Sequence, residues 1–131
     1  RGTDLPEDLI IVSAKLRVKH GDKELINDKI NRYIKEKKES QPSQIKTCGR
    51  TFKNPENQKA WKLIKDSKCD LKSFGKASIS KKHCNFFVNN GGASSEDIEQ
   101  LINFVRQKVF EKYRINLDLE LKIIGEETKN V

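Results

Sequence analysis

Methionine is absent from the 131 residues, so no initiator opens the chain. An apolar stretch begins almost at once, which leads to the expectation of a fragment of a longer protein. Cysteine is scarce and odd in number: Cys48, Cys69 and Cys84, with no C-x-x-C pair and only two histidines. That argues against a disulfide framework and against a zinc site. Reduced thiols in a cytoplasmic setting fit better. Long apolar runs are missing too. The longest covers residues 9–12, far short of the roughly 20 that a membrane-spanning helix needs, so no membrane partner is expected. No glycine-rich phosphate loop of the dinucleotide or P-loop kind is present.

What the chain has is charge. Charged residues make up 35% and hydrophobic ones 34%, which predicts a small core under a heavily charged surface. The placement is uneven. Residues 46–82 hold eleven Lys and Arg against three acids, an excess equal to the +8 of the whole chain. A concentrated basic segment predicts an anionic partner, such as a diphosphate, a nucleic acid or an anionic surface. The plainer alternative is a solvated, lysine-rich face.

Residues 9–18 end in strict alternation, with Ala14, Leu16 and Val18 on one side and Lys15 and Arg17 on the other, as in a strand whose first half is buried on both sides. Gly21-Asp22 offers a helix start, and Leu25, Ile26, Ile30, Tyr33 and Ile34 follow at helical spacing to about Lys38. Ser40-Gln41-Pro42-Ser43 breaks that helix. Strand or loop follows around residues 48–52. A short helix over about 57–66 directs Ala60, Trp61 and Ile64 to a core, with Leu63 alongside. Short strands are expected near 77–79 and 85–88, and Asn89-Asn90-Gly91-Gly92 reads as a turn. Ser94 and Asp97 have capping-box spacing before a helix whose Ile98, Leu101, Ile102, Val105, Val109 and Phe110 share one face. Residues 117–124 alternate cleanly, Leu117, Leu119, Leu121 and Ile123 facing one way and Asp118, Glu120 and Lys122 the other. Gly125 ends that strand, and residues 126–130 form a frayed tail. The fold class is α+β, a small sheet packed against about three helices.

The segment Gly49-Arg50-Thr51-Phe52-Lys53-Asn54-Pro55 combines glycine, cation, amide and proline at a strand-to-turn corner. Glycine lets a ligand approach the backbone closely, and Asn-Pro sets a turn. A purely structural turn has the same composition. With its surroundings, though, the segment resembles the G-S-x-F-K-N-P motif in the last domain of UDP-N-acetylenolpyruvoylglucosamine reductases. Glu39-Ser40-Gln41-Pro42 upstream, Lys59-Ala60-Trp61-Lys62-Leu63-Ile64 and the segment from Gly75 to Phe86 downstream, and Leu117 to Gly125 at the end resemble further motifs of that family. Together they cover roughly residues 36–125.

The resemblance implies a division of the chain: residues 1–19 as the terminal strand of a missing FAD-binding domain, and 20–131 as the C-terminal substrate-binding domain. It implies a reaction in which FAD, recharged by NADPH, reduces the enolpyruvyl ether of UDP-N-acetylglucosamine enolpyruvate to UDP-N-acetylmuramate. Neither cofactor is expected on this chain, which binds substrate and does not turn over alone. Its partners are the nucleotide sugar and the missing N-terminal FAD domain.

Carried over by motif, Glu120 matches the catalytic glutamate. Lys122, two residues on and on the same side, matches a cation that holds the substrate carboxylate. Asn54 and Lys53 line the substrate pocket, and Lys38 matches another substrate-side cation, although lysines at helix ends also answer the helix dipole. His83 and Asn85 fit the motif with a structural role equally open. Arg50 departs from the pattern, standing where the family has its proton-donating serine. A guanidinium with a pKa above about 12 is a poor general acid, but it can stabilise an enolate. Cys48, two residues away, is an alternative proton source. Lys68 and Tyr113-Arg114 stand where glycine or a small turn residue is expected. Two rival readings remain at this level. One is a basic nucleic-acid-binding module, weakened because the basic segment interleaves only Phe52, Trp61 and Phe74. The other is a catalytically dead paralogue that senses substrate, suggested by Arg50.

Overall fold

In the computed structural model, residues 4–6, 8–42 and 45–125 are described. Residues 43–44, within the expected break after the first helix, and the tail 126–130 lie outside them. The chain divides into two compact units, one up to Tyr33 and one from Ile34 onward.

In the first unit, residues 9–21 form neither helix nor strand, and Leu9, Ile10, Ile11, Val12, Leu16 and Val18 are exposed. The expected strand over 9–18 is therefore not formed. Alternation alone does not make a strand, because its N–H and C=O groups need a neighbouring edge, and the described residues of this unit offer none. Helix α1 (Lys23–Ser40) starts where the sequence places it, with Asp22 Oδ1 accepting the Leu25 N–H at 2.9 Å. It has no buried residue, and its apolar stripe of Leu25, Ile26, Ile30 and Tyr33 stays open to solvent.

The second unit carries the core. Strands β1 (Lys46–Arg50), β2 (Ser73–Phe74), β3 (Ala77–Ile79) and β4 (Phe86–Asn89) form one antiparallel sheet in the order β1-β4-β3-β2. Helix α2 (Ala60–Asp66) packs on helix α3 (Ser95–Tyr113), and α3 lies against β2 and β3. The α+β class and the three helices agree with the expectation, counted among the described residues.

Helix α3 is the most locally determined element. Ser94 Oγ accepts the Asp97 N–H at 3.0 Å, and Asp97 Oδ2 accepts the Ser94 N–H at 3.1 Å, so the capping box forms. Leu101, Ile102, Val105 and Val109 are buried as their 3.6-residue spacing requires, while Phe110 is left exposed. They close over Phe52, Ile64, Phe87 and Leu117, with the Phe52 and Phe87 rings edge to face at 5.8 Å.

Three further expectations are corrected. Helix α2 begins at Ala60 and not near 57, because Asn57 has a φ of 57°, a left-handed conformation that no right-handed helix includes. Within α2, Ala60, Leu63 and Ile64 are buried as expected, but Trp61 is 42% exposed and does not face the core. At the far end, residues 117–124 make only one bridge, Phe52 with Leu119, in place of a full strand. Lys68 and Arg114 have φ of 56° and 58°. These are the left-handed turns that glycine takes without strain, which accounts for the small residue expected there.

Candidate substrate-binding corner

β1 ends in a corner built by its own backbone. Gly49 has a φ of 84°, and the register between β1 and β4 shifts between Thr47 and Arg50. Such a β-bulge bends the strand and re-aims the side chains beyond it. Past the bulge the chain divides its hydrogen bonds between two neighbours. The Thr51 N–H donates to the Asn85 carbonyl at 2.9 Å, while the Thr51 carbonyl accepts the Glu120 N–H at 2.9 Å. The Lys53 N–H donates to the Asp118 carbonyl at 2.8 Å. Residues 50–54 and 118–120, distant in sequence, thus lie side by side.

The side chains follow from that frame. Arg50 is half-buried and Lys53 is exposed. Asn54 turns its Oδ1 back to accept the Ala60 N–H at 3.1 Å, capping α2, whose own N-cap residue Lys59 makes no side-chain cap. Glu120 is half-buried, with its Oε2 shielded from solvent. His83 Nδ1 accepts the Asn85 N–H at 3.2 Å, and its ring packs edge-on against Phe86 at 4.8 Å and Trp61 at 6.5 Å. Burial first, and the Arg50 cation second, hold the His83 pKa below the ordinary imidazole value of 6.5. Arg50 and His83 therefore stand close enough to repel as cations.

The sequence-derived candidates are only partly gathered. Lys53 and Glu120 lie on the ladder, and Arg50 and Asn54 flank its first segment. Lys38, in the last turn of α1, is tied in through its carbonyl, which accepts the Lys82 ammonium at 2.5 Å, next to His83. Lys122 is exposed and lines a groove of about 1010 Å³ with Lys46, Thr47, Cys48, Glu99 and Ile123. Arg50, Asn54 and Glu120 do not line that groove. The proximity of His83 to Arg50 and the full bonding of Asn85 escaped sequence reasoning, although both residues sit in a motif segment that signalled them.

Among the described residues no three of His, Cys, Asp and Glu gather to hold a metal ion. A flavin diphosphate does not fit the helix N-termini. Asp22 already caps α1, and Ser94 with the Asp97 carboxylate already fills the start of α3. Both carboxylates repel a second anion where a diphosphate would dock.

Fold and corner together define a small α+β domain that carries cations, an amide and a carboxylate on two chain segments running side by side. A family model described as UDP-N-acetylenolpyruvoylglucosamine reductase, C-terminal domain, matches residues 41–124. The chain belongs to that family. It is 46% identical over 127 residues to UDP-N-acetylenolpyruvoylglucosamine reductase of Rickettsia prowazekii and 49% identical over 127 residues to that of Pelagibacter ubique. Each alignment covers 95% of this chain and 42% of the relative, so the chain spans less than half the length of these curated relatives. The crystal structure of UDP-N-acetylenolpyruvylglucosamine reductase from Thermus caldophilus is similar with a TM-score of 0.68 and 33% identity, covering 82% of this chain and 38% of that one.

Proposed function

We propose that this chain supplies the substrate-binding face of a cytoplasmic UDP-N-acetylenolpyruvoylglucosamine reductase, which converts UDP-N-acetylglucosamine enolpyruvate to UDP-N-acetylmuramate for peptidoglycan. The observation that carries this reading is the ladder between residues 51–53 and 118–120. It sets Glu120 beside the Arg50-to-Asn54 corner in a chain of this reductase's own domain family.

The diphosphate would be drawn by the basic excess of residues 46–82 and by Lys53 and Lys38. Asn54 commits Oδ1 to Ala60, which leaves Nδ2 to donate to the ligand. Lys122 supplies a cation for the substrate carboxylate, and Glu120 is the catalytic carboxylate. Arg50 cannot deliver a proton at neutral pH but can hold negative charge that develops beside the substrate carboxylate. The missing flavin part would carry FAD, with NADPH as the source of hydride. In this reading residues 1–19 belong to that part and 20–131 to the substrate domain. The exposed apolar residues 9–12 and the open stripe of α1 are surfaces such a part would cover. Turnover by the chain alone is not expected. Among the described residues no helix is long and apolar enough to cross a membrane.

Calorimetric titration of the chain with UDP-N-acetylglucosamine enolpyruvate tests the reading. Saturable binding that weakens about tenfold in Lys122→Gln, a loss in line with one charge-assisted contact, supports it. Absence of saturable binding rules it out.

A further inference from the structure

We propose that Asn85 is the positioning residue for Glu120, acting through the backbone of Phe52 and Thr51; this rests on the reading of Glu120 given above. Asn85 is 1% exposed, and its carboxamide spends both groups on one residue far away in sequence. Oδ1 accepts the Phe52 N–H at 2.9 Å, and Nδ2 donates to the Phe52 carbonyl at 2.8 Å. Its own carbonyl accepts the Thr51 N–H at 2.9 Å.

The bulge explains why a side chain is needed. β1 pairs with β4 only as far as Arg50 opposite Phe86. Beyond it Phe52 bridges Leu119, and the bonds of that bridge run from Lys53 to Asp118 and from Glu120 to Thr51. The Phe52 N–H and C=O therefore point away from Leu119, toward the side where β4 has already left the ladder. A buried peptide there needs partners. The Asn85 carboxamide, with the donor and acceptor of a peptide group, takes the place of the absent strand. It fixes the peptide planes on both sides of Phe52, and with them the direction of the Thr51 carbonyl that receives Glu120. His83 holds Asn85 in turn, through Nδ1 to its N–H. A hydrophobic residue at position 85 would fill the same space but leave those planes unspecified.

Amide hydrogen exchange and backbone chemical shifts of the 131-residue chain test this, with UDP-N-acetylglucosamine enolpyruvate as the probe ligand. In Asn85→Leu, the α3 core resonances of Leu101 and Val105 should stay in place. Exchange at the Glu120 N–H should accelerate about tenfold, as loss of one well-made hydrogen bond implies, and nucleotide-sugar affinity should fall by a similar factor. Asn85→Asp, which keeps an acceptor for the Phe52 N–H, should recover part of the Glu120 shift and part of the affinity. A Glu120 amide unchanged in Asn85→Leu would overturn the assignment. If the wild-type chain binds no nucleotide sugar, the functional reading fails, while the Glu120 exchange rates still decide the role of Asn85. Should Asn85→Leu not fold, the wild-type chain gives the answer. The Asn85 side-chain amide protons should exchange slowly and shift when ligand binds. Exchange at the rate of an exposed amide, or no shift in a chain that does bind, would overturn it.

Discussion

The carboxamide oxygen of Asn54 accepts the backbone N–H of Ala60 at 3.1 Å, so one residue of the candidate site also starts helix α2. The two roles separate chemically, because capping uses the oxygen and ligand binding would use the nitrogen.

Asn54→Ala should lower stability by about 1 kcal/mol, the usual cost of a lost cap, and also weaken nucleotide-sugar binding. Asn54→Asp should keep the cap, since a carboxylate oxygen still accepts, and lose binding by repelling the diphosphate. Thermal unfolding and calorimetry on the two variants check this. Equal loss of stability in both would show that the cap is not what Asn54 provides.

Lys68 has a φ of 56°, immediately after the turn that ends α2. A side chain in the left-handed region costs about 1–2 kcal/mol, part of which glycine returns through the entropy of the unfolded chain. Lys68→Gly should therefore raise the denaturation midpoint, by about 1 kcal/mol of stability. A lower midpoint would show that the Lys68 side chain stabilises the fold by more than its backbone strain costs.

The His83 pKa lies below 6.5, through burial and then the Arg50 cation. The folded state therefore releases the His83 proton more readily than the unfolded state. Its contribution to stability is complete above the unfolded value and is lost as pH falls through the lower, folded one. Arg50→Ser removes the repelling cation, so the His83 pKa should rise and this acid-side loss should shrink. An NMR titration of the imidazole in both proteins reads the shift. No change would place the Arg50 guanidinium away from the ring.

Three free thiols differ in reach. Cys48 is exposed, while Cys69 and Cys84 are buried. Burial, with the Asp70 carboxylate second, pushes the Cys69 thiol up to about 11 and Cys84 in the same direction. Only the thiolate attacks an alkylating agent. Brief iodoacetamide treatment at pH 8 should therefore add one group, at Cys48, with the other two reacting only after denaturation. Intact mass and peptide mapping count and locate the adducts.

Local physics made much of this protein legible from its residues. The capping box at Ser94 and Asp97, the buried stripe of α3 and the start of α1 at Asp22 depend on contacts three or four residues apart, and such contacts are written in the sequence. The turn around residues 49–55 was likewise visible as pattern, whereas Lys122, read on one side of a strand with Glu120, lines a groove that Glu120 does not. Tertiary structure alone decided whether each pattern found a partner. Residues 9–18 and 117–124 alternate equally well, yet only the second reaches an edge, and it pairs only beyond the bulge. The exclusion of Trp61 from the core was beyond pattern too, because the seven residues of α2 make barely two turns and leave its phase to its neighbours. Asn85 shows the limit most clearly. Nothing near it in sequence announces the Phe52 backbone as its partner, because that need arises only where one strand leaves the sheet before the next has fully joined it.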